Sequence, residues 1–296
     1  MTPVFLVPGL LAASLSSAST DAAPHRAALE VSSGRPVVEV MINGEGPYPF
    51  VLDTGAGALV LRSSVVEELG LEVIGQQQVG SPLGAQPLTA DLVAVDRLSL
   101  GGAEILDRQA VVIDMPGAPP SFVGVIGPNQ FADFRRVAFD FETYEVEIGG
   151  AFVHGESEQW LAIGDYAPII ETDAMIGDIP LVVHIDTGSP GVLSVPEASA
   201  DSLPLTGPVT VIGRGRTVDA EFEIRGAPLD GVAEVAGATI PLDNVHFLQA
   251  SFGNLGMGGL HGLQLEYDWE EERFALSGEA EPRAMRPQRR MVRQDD

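Results

Sequence analysis

Two short segments of this chain share a composition suited to acid–base chemistry. Asp53-Thr54-Gly55-Ala56 closes the apolar run at 50–52, and Asp186-Thr187-Gly188-Ser189 closes the run at 181–185. If both Asp residues end strands, two turns can bring their carboxyls to one place. At ~3 Å and an effective dielectric of ~20, two negative carboxylates repel by roughly 5–6 kcal/mol. That energy separates the two ionisations by about 4 pKa units, so one proton is shared over a wide pH range. One carboxylate can then take a proton from water while the other gives a proton to an amide. Gly55 and Gly188 have no Cβ, so the backbone can turn sharply and aim N–H groups at the carboxyls. Ser189 offers a hydroxyl to the outer oxygen of Asp186, and Ala56 offers none to Asp53, which predicts an asymmetric pair.

The elements that must position these turns follow from the apolar pattern. In the first half, 37–42, 50–52, 59–61, 92–95, 98–100 and 110–113 read as strands. Ser63 reads as the N-cap of a short helix that Gly70 stops. Gly124-Val125-Ile126-Gly127 reads as a short helix, and 137–141 with 145–148 as a closing hairpin. The second half retraces this order: 180–185 into Asp186, strands at 229–236 and 239–248, the segment Gly253-Asn254-Leu255-Gly256, and a hairpin of 265–268 with 273–276. Two copies of a unit this long predict a duplicated lobe about a pseudo-two-fold axis rather than a solenoid. Between Asp53 and each closing segment lies a polar stretch punctuated by Gly80 and Gly84; its counterpart holds Gly213 and Gly215. These glycines fit hairpins that open for substrate and close over it.

Taken jointly, these segments resemble the retropepsin-like aspartic peptidases, in a bacterial exported form with both lobes in one chain. The resemblance covers about residues 30–278. It implies a mostly β, bilobal acid-protease fold with two pseudo-symmetric barrel-like lobes and short helices. It further implies a cleft that cleaves polypeptide through Asp53 and Asp186, without cofactor or metal, with Thr54 and Thr187 bonding across the axis. Gly80, Gly84, Gly213 and Gly215 become flap residues. Three features depart from the pattern: Pro190-Gly191 follows Ser189, Asn254 stands where an apolar residue is usual, and the first flap has no Tyr. Pro190 and Asn254 keep open a catalytically silent protein that binds peptide in the same cleft. An obligate homodimer that pairs like lobes is the third alternative to a monomer with an intramolecular dyad.

Other readings weigh against this one. A D-T-G can be a plain turn in which Asp caps a local N–H. His184 lies two residues before Asp186 and so on the same strand face, with no further ligands at metal spacing. Residues 253–259 contain a partial phosphate-loop pattern without a suitable helix after it, and no Ser-His-Asp set stands out.

Composition bounds the rest. The 296 residues carry a formal charge of −26, with 16 Arg and no Lys, which disfavours nucleic acid as a partner. The absence of Cys excludes thiol nucleophiles, thiolate metal sites and disulfides. Residues 1–23 read as a signal peptide or disordered leader, with Ser16-Ser17-Ala18 as cleavage site, or else as an uncleaved anchor; no other segment reads as a membrane span. The expected location is periplasmic or extracellular. The expected organisation is a first lobe at 24–150, a linker at 151–166, a second lobe at 167–278 and a disordered Arg-rich tail at 279–296.

Overall fold

A computed structural model describes residues 23–80, 87–114, 122–153, 159–164, 168–216 and 221–283. The chain is built almost wholly of strands, arranged in an eight-stranded, a seven-stranded and a six-stranded sheet. The first two sheets are versions of one design.

In the first, the strand Arg35–Ile42 pairs antiparallel with Glu45–Leu52, which runs parallel to Gly124–Ile126. Gly124–Ile126 lies antiparallel to Leu59–Leu61, which runs parallel to Ala103–Val112. Ala103–Val112 pairs with Leu88–Leu100, and that strand returns to Arg35–Ile42 through Met41↔Ser99 and Ile42↔Leu98. The pairing therefore closes on itself, which removes the open edges of a flat sheet.

The second sheet closes in the same order. Glu171–Ile176 leads to Ile179–Asp186, then Gly253–Gly256, Leu193–Pro196, Ala238–Leu248 and Glu221–Val235. Glu221–Val235 rejoins Glu171–Ile176 through Ala174↔Val235. Each ring is filled by inward-facing aliphatic residues, such as Val40, Leu59 and Ile105 in one and Val183, Leu229 and Ile240 in the other, all fully buried.

The third sheet corrects the expected domain boundaries. The two closing hairpins do not stay with their own lobes. Arg136–Asp140 pairs antiparallel with Leu263–Asp268, so both hairpins form one shared sheet with His25–Ala28 and Leu161–Ala162 at its edges. Polar composition at 151–166 suggested a linker, yet 161–162 is a strand. Trp160 meets Phe152 edge-on at 5.6 Å, and the Arg273 guanidinium lies 4.6 Å from the Trp160 ring centroid. Residues 281 and 283, within the stretch expected to be tail, are bonded to the body: the Glu281 and Arg283 N–H groups donate to the carbonyls of His261 and Gly258 (2.8 Å each). The first strand starts at His25; residues 1–22 and 284–296, which carry most of the leader and tail expectations, lie outside the described residues.

Local expectations change where pairing overrides composition. Residues 92–95 and 98–100 belong to one 13-residue strand, in which the exposed Asp96 and Arg97 interrupt the alternation without ending the ladder. Gly124–Ile126 is a strand, and the helical turn comes one residue after Gly127, at Pro128–Phe131. The helix Ser63–Leu69 stops at Gly70 in the left-handed conformation (φ 61°). Ser63 is its first helical residue rather than its cap; the Asp114 carboxylate accepts from its N–H (3.1 Å) and hydroxyl (2.9 Å). Among the described residues no helix is long and apolar enough to cross a membrane.

Candidate active site

The site is built where the two barrels meet. In each barrel the strand that ends at the D-T-G runs parallel to a short strand that ends in glycine. Leu52 pairs with Ile126, one residue before Asp53 and Gly127; Asp186 pairs with Gly256. The closing glycines are needed for close approach. A Cβ on Gly127 would lie 2.2 Å from the Ala56 carbonyl oxygen, and one on Gly256 would lie 2.4 Å from that of Gly191. The Met257 and Gly258 N–H groups then bond the Ser189 and Gly191 carbonyls (2.8 and 3.0 Å), so the Pro190 turn is held in place by its closing segment.

Thr54 and Thr187 join the two loops reciprocally. The Thr54 hydroxyl donates to the Ile185 carbonyl (2.7 Å) and accepts from the Thr187 N–H (3.0 Å). The Thr187 hydroxyl donates to the Leu52 carbonyl (2.6 Å) and accepts from the Thr54 N–H (3.0 Å). Both residues are fully buried, and four hydrogen bonds relate residues more than 130 positions apart. Each hydroxyl is both donor and acceptor toward the opposite half.

This grip sets the two carboxyls side by side, close enough for each to shift the ionisation of the other. The loops also cross over the carboxyls. A Cβ on Gly188 would lie 2.4 Å from Asp53 Oδ2, and one on Gly55 would lie 2.8 Å from Asp186 Oδ1, so only glycine fits at either position. The Gly55 N–H donates to Asp53 Oδ1 (2.9 Å), and the Ser189 N–H donates to Asp186 Oδ1 (3.1 Å). Ser189 thus contributes its backbone and not the hydroxyl expected from its type. The side-chain donor to Asp186 is Asn254, whose Nδ2 lies 2.8 Å from Oδ2. Arg35, partly buried, donates through Nε to the Gly188 carbonyl (2.7 Å), beneath the pair. Asn254 shows in the sequence only as a break in the closing segment, and Arg35 is marked by neither type nor motif; Arg35 is 18 residues from Asp53 and reaches the opposite loop only through the fold.

Burial raises both carboxyls above the ordinary range. For Asp53 the rise is opposed by the Gly55 N–H, the Asp186 side chain, the Arg35 charge and the Gly188 N–H. For Asp186 the neighbouring Asp53 charge adds to burial, and together they push it up to about 8. Two like charges this close disfavour forming together, which holds a proton on Asp186 through neutral pH.

Paired strands occupy the two stretches expected to be flaps. Val73–Val79 pairs with Leu88–Leu100, and Gly80 follows its last paired residue; Gly84 lies outside the described residues. Gly213 and Gly215 are ladder residues of Thr210–Arg216, opposite Ile224 and Phe222, and not part of a turn. A register irregularity between Val211 and Gly213 bends this arm. Val73, Ile74, Leu88, Val211 and Ile212 on the two arms are exposed. His184 pairs with Glu171 (Nε2–Oε2 3.2 Å) and stacks on Phe252 at 4.0 Å. Among the described residues no three His, Asp or Glu side chains gather as a metal site.

Residues 38–129 match a family model described as aspartyl protease. The match runs from the strand before the first D-T-G to the helical turn after Gly127, which is the first barrel. The second barrel repeats that barrel's pairing order around its own D-T-G. No curated protein sequence matches the chain.

Proposed function

We propose that this chain, a member of the retropepsin-like aspartyl protease family through residues 38–129, is an endopeptidase that hydrolyses polypeptide with water activated by Asp53 and Asp186. The observation that carries the reading is the side-by-side placement of these two carboxyls where the D-T-G loops cross, held by the reciprocal threonine bonds. The resting pair holds one proton and one negative charge. Asp53 is the ionised member, because the Gly55 and Gly188 N–H groups and the Arg35 charge favour its charged form. The ionised carboxylate removes a proton from water as the oxygen attacks the peptide carbonyl carbon. The protonated Asp186 gives its proton to the carbonyl oxygen, forming a gem-diol; as the C–N bond breaks, Asp53 passes the proton taken from water to the departing nitrogen and a diol hydroxyl returns a proton to Asp186, which restores the pair. No covalent intermediate with the protein is required. An extended substrate lies under the two hairpin arms, whose backbone groups and exposed apolar side chains can bind it by strand addition.

One chain supplies both halves of the site, so we propose a monomer as the active unit. The test is turnover of a mixed peptide library from acid to neutral pH. Asp53→Asn and Asp186→Asn should each lower kcat by at least about 10³-fold while peptide binding persists. Mixing the two variants should restore nothing, whereas recovery would support pairing between chains. Binding of peptides by the unmodified protein without cleavage at every pH would refute the enzyme in favour of a silent peptide receptor.

A further inference from the structure

The two barrels share a register, and this isolates one position where they differ in chemistry. In the first, Val51 on the Asp53 strand pairs with Val125; both pack with Val37 and Phe122 in a buried apolar cluster. In the second, the same pairing joins His184 to Asn254, and Glu171 pairs with His184 as Val37 does with Val51. An apolar patch beside Asp53 is thus replaced by Glu171, His184 and Asn254 beside Asp186. Asn254 is the member that reaches the carboxyl, at 2.8 Å from Oδ2.

The placement of Asn254 has a cost that a valine would avoid. Its Oδ1 is buried and has no hydrogen-bond partner among the described residues. An amide kept here with one end unsatisfied is explained by what its other end does. We infer that Asn254 is a positioning residue of the pair, which fixes the outer oxygen of Asp186 and loosens that carboxyl's hold on the shared proton. An N–H bond to an ionised oxygen is roughly twice as strong as one to a neutral oxygen. Donation from Nδ2 therefore favours the ionised form of Asp186 over the protonated form, against the effects of burial and the Asp53 charge. Val125 provides nothing equivalent for Asp53. Among the described residues, the other charged or titratable groups near the pair include Arg35, bound to the Gly188 carbonyl, His184, whose Nε2 pairs with Glu171, and His246, which lies against Gly191 in the turn after Asp186. The asymmetry expected from Ser189 is supplied by Asn254.

This inference rests on Asp53 and Asp186 sharing a proton, but its test does not need turnover. Asn254→Val installs the residue of the first barrel in a strand that favours it. The side-chain carboxyl carbons of the two Asp residues are followed by 13C NMR against pH, with Asp53→Asn and Asp186→Asn for assignment. In Asn254→Val the upper titration step should move up by about one pH unit. The alkaline limb of kcat/KM should move with it. An upper step unchanged in the NMR titration overturns the inference whether or not the protein cleaves peptides. If peptides are not cleaved while the step moves, the inference stands and the peptidase reading fails. Val125→Asn is the converse variant, and folding of Asn254→Val is not needed to read it. It places an amide beside Asp53 and should lower the lower step by a similar amount; no change there equally overturns the inference.

Discussion

At the scale of the residue, the proposed dyad bears on stability as well as on chemistry. Asp186 keeps its proton to about 8 in the folded protein, while an unfolded Asp loses it near 4. Between these values the folded state binds more protons than the unfolded state, so stability falls as pH rises. The effect is absent below about pH 4 and complete above about pH 8, with a slope of at most about 1.4 kcal/mol per pH unit for one proton. Asp186→Asn removes the titrating group. Urea midpoints at several pH values should show the variant gaining on the parent from pH 4 to 8 and no further beyond. A constant difference across that range would mean that Asp186 ionises normally. Legibility at this scale was uneven. Asp53, Asp186, Thr54, Thr187, Gly55 and Gly188 are recognisable because the motif is local. Asn254 is visible only as a break in an apolar pattern, since its partner lies 68 residues away.

At the scale of the element, the two D-T-G loops act as one unit. Thr54 and Thr187 each satisfy a buried N–H and a buried carbonyl of the other loop. Thr54→Val keeps the shape but leaves the Ile185 carbonyl and the Thr187 N–H without partners. A destabilisation of about 2–4 kcal/mol follows from two unsatisfied buried groups. Thr187→Val should behave alike. The double variant should lose clearly less than the sum, because either change alone already disrupts the shared network. Chemical denaturation of the three variants measures this, and strict additivity would show that the loops are held independently. Strand positions were largely legible, because apolar alternation reports them. Their extents were not: Leu88–Leu100 continues past Asp96 and Arg97 because Ala103–Val112 supplies ladder partners on both sides of the interruption.

At the scale of the molecule, the six-stranded sheet joins the halves. Arg136, almost fully buried on a first-half strand, bonds Glu266 on a second-half strand and Glu147 at 2.9 Å. Glu266 is fully buried and also accepts from the Val153 N–H (3.1 Å). Arg136→Met should cost about 3–5 kcal/mol by removing the cation paired with this buried carboxylate. Arg136→Met with Glu266→Gln should recover much of that loss, as followed by urea unfolding. The loss should appear in both halves together, since the strands carrying Arg136 and Glu266 are adjacent in one sheet. Independent unfolding of the halves would contradict a shared core.

Taken alone, the sequence determined the duplicated signature, the strand-rich class, the absence of cysteine and the two carboxylates as the candidate pair. All of these are local or compositional, and hydrophobic periodicity with turn chemistry is enough to reveal them. Tertiary structure alone decided that the closing hairpins merge into one sheet, that part of the presumed linker is a strand, and that Arg35 and Asn254 stand at the dyad. The reason is that these depend on pairings across long stretches of chain, where the free energy lies in register and burial and leaves no periodic mark in either partner.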